Sequence, residues 1–157
     1  MVDTTVTDDL FKRLVTMAQE RGVVIGAAES VTGGQFSYLI TRQPGAGDVF
    51  AGGLVTYQTG VKQRLLDVPE GPVVSYRAAE AMAVGARRLL DCDLVVAITG
   101  VAGPDSQDGQ PVGRVFIGNV FAHEPVTSAR YDFHGDPDVI RHQAAMAAAR
   151  VALDSFL

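Results

Sequence analysis

The stretch VVIGAAESVTGG at residues 23–34 constrains the fold most, because a short apolar run changes directly into small and polar residues. Such a run fits a buried strand of a parallel sheet, and the following QFSYLITR has helical spacing. Ser30 is therefore expected at a strand-to-helix turn, where the unpaired N–H groups of a helix start suit an anion or a developing oxyanion. Alternatively, Ser30 or Thr32 only caps the helix, and Gly33 and Gly34 allow close packing.

The composition fits one α/β domain. Hydrophobic residues make up 47% of the 157 residues, aromatic residues make up 7%, and tryptophan is absent. A core built from Val, Ala, Leu and Ile suits parallel strands covered by Ala-rich helices. The sequence contains no internal repeat and no linker, so we predict a single domain over residues 1–157.

Apolar periodicity predicts an alternation of helices and strands. Helices are predicted at residues 8–21 with Thr7 or Asp8 as cap, about 32–42, 60–68, 75–90 and about 136–156. Strands are predicted at residues 23–28, within 48–57, at 94–98, and as an antiparallel pair at 113–122 and 128–134. The order indicates a mixed sheet, with a glycine-rich polar loop over residues 99–111.

Three loops are expected to meet at the carboxyl ends of the strands, carrying Ser30 to Gly34, Tyr57 to Lys62 and Thr99 to Asp105. A serine needs a base to take its proton, and Lys62 is well placed to do so. Tyr57 could relay the proton or hold Lys62 and Ser30 in register.

Other interpretations of these residues stay open. The histidines, at positions 123, 134 and 142, follow no strand of the parallel part and are poor candidates for the base. Lys62 could instead belong with Arg64 to a solvated helix face. If Lys62 is the base, burial and a nearby cation such as Arg141 would lower its pKa.

A further candidate site is the loop that carries Thr99, Gly100 and Gly103. Its backbone N–H groups could cradle a phosphate or an amide oxygen. The alternative is a turn-rich connection in which the glycines serve only the backbone and Asp105 is an ordinary turn residue.

Several function classes are disfavoured. The net charge of −5 argues against a nucleic-acid surface. The single Cys92 excludes an internal disulfide and a multi-thiolate metal cluster. The acidic start MVDTTVTDDL does not resemble a signal peptide, and no apolar run approaches the ~18 residues of a membrane span. We therefore expect a cytoplasmic location and no membrane partner.

Six blocks follow one another from about Leu10 to Leu153: AAESVTGG, PGAGDVFAGGLVTY with Lys62 shortly after it, VVSYRAAEAMAVGARR, AITGVAGPD, PVGRVFIG and HGDPDVIR. Together they resemble the CinA carboxyl-terminal domain family, the nicotinamide-nucleotide amidases or NMN deamidases. The resemblance implies a three-layer α/β/α sandwich with a mixed, mainly parallel sheet of about five strands. It also implies a tendency to form homo-oligomers.

The same resemblance implies a serine amidase, without cofactor or metal, that converts nicotinamide mononucleotide to nicotinate mononucleotide and ammonia. Ser30 matches the family's nucleophile, Lys62 and Tyr57 match its lysine and tyrosine partners, and Arg141 matches the arginine of its last block. The partner expected is thus a small pyridine nucleotide. Substrate-binding positions are predicted at Thr32, Gly33, Gly34, Thr99, Gly100, Gly103 and Arg141.

The chain departs from the family pattern at a few positions. Ala46 and Gly47 stand where many members carry a Ser-Ser pair, and Pro137 stands where an arginine is common. These departures leave two alternatives open. One is a non-catalytic nucleotide-binding or regulatory module, and the other is an amidase for a different heteroaromatic carboxamide.

Overall fold

A computed structural model describes residues 3–157, in which helices and strands alternate. The helices are α1 (Thr4–Arg21), α2 (Gln35–Thr41), α3 (Ala46–Val49), α4 (Thr59–Leu66), α5 (Tyr76–Leu90) and α6 (Pro137–Asp154). The strands are β1 (Ile25–Glu29), β2 (Phe50–Val55), β3 (Leu94–Gly100), β4 (Arg114–Phe121) and β5 (Thr127–Asp132).

The five strands form one mixed sheet in the order β2-β1-β3-β4-β5. Strand β1 pairs in parallel with both β2 and β3, whereas β4 runs antiparallel to β3 and β5 antiparallel to β4. The predicted mixed sheet of about five strands is confirmed. Because β1, β2 and β3 are parallel neighbours, the segments that follow them all leave the sheet at the carboxyl ends of these strands.

The sheet lies between two layers of helices, because its central strands are buried on both faces. Val96 and Ile98 of β3 pack in one core with side chains of α1, α2 and α6. Val95 and Ala97 of the same strand pack in a second core with side chains of α5. Alternate strand residues point to opposite faces, so one strand serves both cores. The predicted three-layer sandwich is confirmed.

Helix α1 begins earlier than the sequence predicts. Its N-cap is Asp3, whose carboxylate accepts hydrogen bonds from the N–H groups of Thr5 and Val6. The prediction of Thr7 or Asp8 as cap is therefore wrong. Thr7 is buried inside the helix.

Two other boundaries differ from the sequence prediction. Residues 46–49, partly expected to be extended, form the short helix α3, and extended structure begins at Phe50. Strand β3 continues to Gly100, because its pairing with β4 reaches Val115, so the loop starts later than expected.

Strand β2 is one edge of the sheet, and the side chains of Ala51 and Val55 on it are exposed. An apolar edge strand of this kind is a surface on which another chain can pair. Homo-oligomerisation stays a prediction. Within residues 3–157, no helix combines the length and apolarity needed to cross a bilayer.

Candidate active site

A cavity of about 120 Å³ lies where the segments after β1, β2 and β3 meet. Ser30 follows β1, Tyr57 follows β2, and Gly100 to Gly103 end β3 and continue into the next loop. The structure thus brings the three predicted loops to one place. Arg141 of α6 also lines this cavity.

The lining divides into a polar interior, apolar walls and a polar rim. Ser30, Lys62 and Thr99 line the cavity and are buried. The buried apolar lining residues are Val31, Val73, Val74, Val101 and Ala102. The exposed or partly exposed lining residues with polar side chains are Tyr57, Asp105, Gln107 and Arg141, and Gly100 and Gly103 are partly exposed as well. Most of the surface that the cavity presents is polar, so a ligand in it would have to bring polar groups to the buried Ser30, Lys62 and Thr99.

Ser30 is held by its backbone in a tight turn. Its N–H donates to the carbonyl of Ile98 at 3.0 Å, which extends the parallel pairing of β1 with β3 by one residue. Its carbonyl accepts from the N–H of Gly33 at 3.0 Å, which closes the turn. These two bonds fix the Ser30 backbone at the cavity.

Lys62 is almost fully buried, with 2% of its surface exposed. Its Nζ donates to the backbone carbonyls of Thr56 at 2.7 Å and Tyr57 at 2.9 Å. Burial lowers the pKa of the Lys62 amine to about 8, against a smaller opposing effect of the Asp108 charge. The alternative of a solvated Lys62 is therefore wrong.

The two carbonyls bear on what Lys62 can do chemically. A neutral amine has two N–H protons and one lone pair, and the carbonyls of Thr56 and Tyr57 can take both protons. The lone pair is then free to act as a base. Within the described residues 3–157, Nζ makes no direct hydrogen bond to Ser30; such bonds often tighten only when substrate is bound.

The carboxylate of Glu29, which is fully buried, organises the turn after Ser30. Its Oε1 accepts from Thr32 Oγ1 at 2.7 Å and from the Phe36 N–H at 2.8 Å. Its Oε2 accepts from the Ser37 N–H at 3.0 Å and from Ser37 Oγ at 2.6 Å. Sequence reasoning missed this role, although a carboxylate between a buried strand and a helix start was a usable signal.

Thr32, Gly33 and Gly34 do not line the cavity. The hydroxyl of Thr32 is used by Glu29, and Gly33 and Gly34 have φ values of 59° and 102°, which favour glycine. Helix α2 accordingly begins at Gln35 rather than near residue 32. In this structure the three residues shape the turn and are not positioned to touch a molecule in the cavity.

The other predicted binding loop lies at the cavity with Thr99, Gly100 and Gly103. The Thr99 hydroxyl donates to the carbonyl of Val73 at 2.6 Å and so fixes one wall. Within the part of the chain that the structure describes, the backbone N–H groups of Ala102 and Gly103 have no acceptor. Because both residues line the cavity, these N–H groups are candidates to stabilise an oxyanion there.

Arg141 lies at the rim, where its Nη1 donates to Asp138 at 3.0 Å. It is a cation at the opening of the cavity, suited to an anionic group outside it. None of the three histidines lines the cavity, and His142 contacts Thr7 and Gln35 instead.

The sequence departures noted above lie outside the cavity, since Ala46, Gly47 and Pro137 are not among its lining residues. Sequence reasoning missed Val73 and Val74 as walls. They begin the block VVSYRAAEAMAVGARR before helix α5, but valine side chains carry no chemistry that marks a site.

Comparison with known proteins gives consistent matches along the chain. A family model described as the CinA C-terminal domain matches residues 7–156. A protein of Thermotoga maritima named "CinA-like protein" is 39% identical over 141 residues, covering 86% of this chain and 34% of the relative. The chain spans about a third of the length of the curated relatives it matches.

Solved structures show the same fold. A competence-damaged protein (CinA) superfamily protein of Klebsiella pneumoniae superposes with a TM-score of 0.91 at 28% identity, covering 96% of this chain and 97% of the other. One from Escherichia coli superposes with a TM-score of 0.90 at 27% identity, covering 100% of this chain and 94% of the other.

Proposed function

The chain belongs to the CinA C-terminal domain family, and we propose that it is a serine amidase that hydrolyses nicotinamide mononucleotide to nicotinate mononucleotide and ammonia. The observation that carries the proposal is that Lys62, whose amine is buried, and Ser30 line the same cavity. A buried lysine with a pKa of about 8 is a competent base near neutral pH, unlike a solvated one.

In the proposed reaction, Lys62 Nζ takes the proton of Ser30 Oγ as that oxygen bonds to the carboxamide carbon. The carbonyl oxygen becomes an oxyanion, which the N–H groups of Ala102 and Gly103 stabilise. The C–N bond then breaks, and the Lys62 ammonium returns its proton to the departing nitrogen, which leaves as ammonia. Water then attacks the carbonyl carbon of the Ser30 ester, and the bond from that carbon to Ser30 Oγ breaks. One proton of the water passes through Lys62 to Ser30 Oγ, and the acid that forms loses the other proton to solvent as it leaves as the carboxylate.

The lining of the cavity supports a pyridine carboxamide as the reacting group. Val73, Val74 and Val101 are among the lining residues, but most of the surface that the cavity presents is polar, and it offers Ser30 and Lys62 to the carboxamide. The cavity of about 120 Å³ has room for the ring rather than for a whole nucleotide. The ribose phosphate would therefore extend past the rim toward Arg141, whose charge suits a phosphate.

The experiment is an ammonia-release assay on nicotinamide mononucleotide. Wild type is expected to release ammonia, and Lys62→Met is expected to be slower by at least about a thousandfold, because it loses the base. Lys12→Met is the matched control, since Lys12 is exposed on α1. Its rate should equal that of wild type.

The same assay separates the alternatives. Calorimetric binding of nicotinamide mononucleotide by wild type, with no ammonia released in long incubation, would replace the amidase with a nucleotide-binding module. Turnover of unphosphorylated nicotinamide as fast as that of the mononucleotide would contradict nucleotide specificity.

A further inference from the structure

A two-residue hairpin turn lies beside the cavity at residues 107–110. The Gln110 N–H donates to the Gln107 carbonyl at 2.8 Å, and the Gln107 N–H donates to the Gln110 carbonyl at 3.2 Å. Asp108 and Gly109 between them have φ values of 53° and 73°. Positive φ at both central residues is the requirement of a type I′ turn, for which Asp-Gly is a favoured pair. The hairpin is thus specified locally.

The tip of this hairpin is bonded to a wall of the cavity. One oxygen of Asp108, Oδ2, accepts from the N–H groups of Val73 at 2.8 Å and Val74 at 3.0 Å. The carbonyl of Val73 accepts from the hydroxyl of Thr99 in β3, so both backbone groups of Val73 are held by side chains, one of the strand and one of the loop that follows it. Gln107, next to Asp108, lines the cavity itself.

We propose that Asp108 is a positioning residue, whose carboxylate fixes the 107–110 hairpin to the Val73–Val74 wall and thereby holds the cavity in the shape that orients a substrate ring beside Ser30. The proposal extends the proposed amidase function to a residue that does not line the cavity. Without the carboxylate, two N–H groups of the wall lose their acceptor and the hairpin loses its anchor.

The charge of Asp108 has a second consequence, because it opposes the effect of burial on Lys62 and raises the pKa of that amine. Tyr57, Asp105 and Arg141 are the other titratable side chains that line the cavity besides Lys62. Helix α4, which carries Lys62, also carries Arg64. Helix α5 packs against α4, and Arg88 of α5 forms an ion pair with Asp67, the C-cap of α4.

The two effects of Asp108 can be separated by substitution. Both hydrogen bonds end on one oxygen, so Asp108→Asn can keep them through its amide oxygen while it removes the charge. Asp108→Gly removes the charge and the bonds, and glycine accepts the positive φ without strain. Asp91 is a matched control position, since it is also exposed with a positive φ, at 47°.

The primary test is NMR on the free protein and does not depend on activity. Amide hydrogen exchange at Val73 and Val74 should be slow in wild type and Asp108→Asn, and at least about tenfold faster in Asp108→Gly. The chain has two lysines, so ¹³Cε labelling gives one signal for Lys62 and one for the exposed Lys12. The Lys62 titration midpoint should fall by roughly half a pH unit in both variants, and the Lys12 midpoint should not move.

Kinetics supply the second readout. Asp108→Gly should raise the KM for nicotinamide mononucleotide several-fold, whereas Asp108→Asn should leave KM near wild type and shift the acid limb of kcat/KM to lower pH. Asp91→Asn and Asp91→Gly should change neither. Unchanged exchange at Val73 and Val74 in Asp108→Gly would overturn the proposal. Wild type that releases no ammonia, with the exchange results as expected, would instead refute the amidase and leave the hairpin anchor in place.

Discussion

The Nζ of Lys62 lies 2.7 Å from the backbone carbonyl of Thr56, at the end of the strand that precedes its own helix. The side chain of Lys62 therefore turns back from α4 and bonds to the backbone that follows β2. This bond, with the one to Tyr57, holds a buried amine in one orientation at the cavity.

The rate should depend on pH through the neutral form of Lys62. Its pKa is lowered from 10.5 to about 8, so about a tenth of the amine is neutral at pH 7. We expect kcat/KM for ammonia release to rise about tenfold per pH unit up to roughly pH 8 and then to level off. A profile that is flat between pH 6 and 9 would contradict Lys62 as the base.

Burial of Lys62 also predicts a pH-dependent stability. The unfolded chain holds the lysine proton up to a pKa near 10.5, while the folded chain loses it near 8, so the unfolded state binds more protons between these values. The contribution of Lys62 to the free energy of unfolding is constant below pH 8 and rises between pH 8 and 10.5. Denaturant unfolding should show wild type gaining on the order of 2 kcal/mol relative to Lys62→Met across that window. A difference independent of pH would mean that Lys62 is not desolvated.

Replacing the buried carboxylate should destabilise the turn that bears Ser30. In Glu29→Gln, an NH₂ replaces one of the two oxygens, and each oxygen now accepts from a backbone N–H, of Phe36 or of Ser37, which cannot accept a hydrogen bond in return. We expect a loss of about 2–4 kcal/mol in the free energy of unfolding by urea denaturation. Glu20→Gln on the exposed side of α1 is the control and should stay within about 0.5 kcal/mol of wild type.

Arg141, the cation at the rim of the cavity, should contribute to substrate binding. Arg141→Ala is expected to raise the KM for nicotinamide mononucleotide by about tenfold and to leave kcat and the pH profile close to wild type, because a phosphate loses its partner. Arg150→Ala on the same helix is the control, since Arg150 does not line the cavity. If KM stays constant and the acid limb of the pH profile moves upward, Arg141 serves to lower the pKa of Lys62 instead.

Close packing of α5 on the sheet should be sensitive to a single methyl group. A Cβ at Gly118 would overlap the backbone carbonyl of Ala79, so Gly118→Ala is expected to lower the free energy of unfolding by about 1–3 kcal/mol. A Cβ at Gly47 meets no atom within 4 Å. Gly47→Ala should therefore be neutral or stabilising by up to about 1 kcal/mol, and equal effects of the two changes would contradict the packing.

Much of the fold could be predicted because its signals are local. Ser75 was expected to start a helix, and its hydroxyl accepts from the Ala78 N–H at the start of α5. The first helix is predicted to end at residue 21, and Gly22 ends it with a φ of 63°. The apolar run at residues 94–98 predicts a buried strand and forms the first part of β3.

The candidate site was harder to predict because its groups meet through tertiary packing. A sequence does not distinguish a solvated lysine from a buried one, and the burial of Lys62 depends on segments that follow different strands. The role of Glu29 is hard to predict for the same reason, since three of its four donors come from a helix that begins six residues later and the fourth is Thr32 of the turn between them. Thr32 and the two glycines after it belong to the same turn as Ser30, but adjacency in sequence did not place them at the cavity.

The most direct test of the amidase is the rate of ammonia release from nicotinamide mononucleotide by Ser30→Ala beside wild type. Ser106→Ala serves as a control, since Ser106 is exposed and does not line the cavity. The account predicts that Ser30→Ala still binds the nucleotide in calorimetry but loses at least about a thousandfold in kcat, while Ser106→Ala matches wild type. Ammonia release by Ser30→Ala at the wild-type rate would contradict Ser30 as the nucleophile.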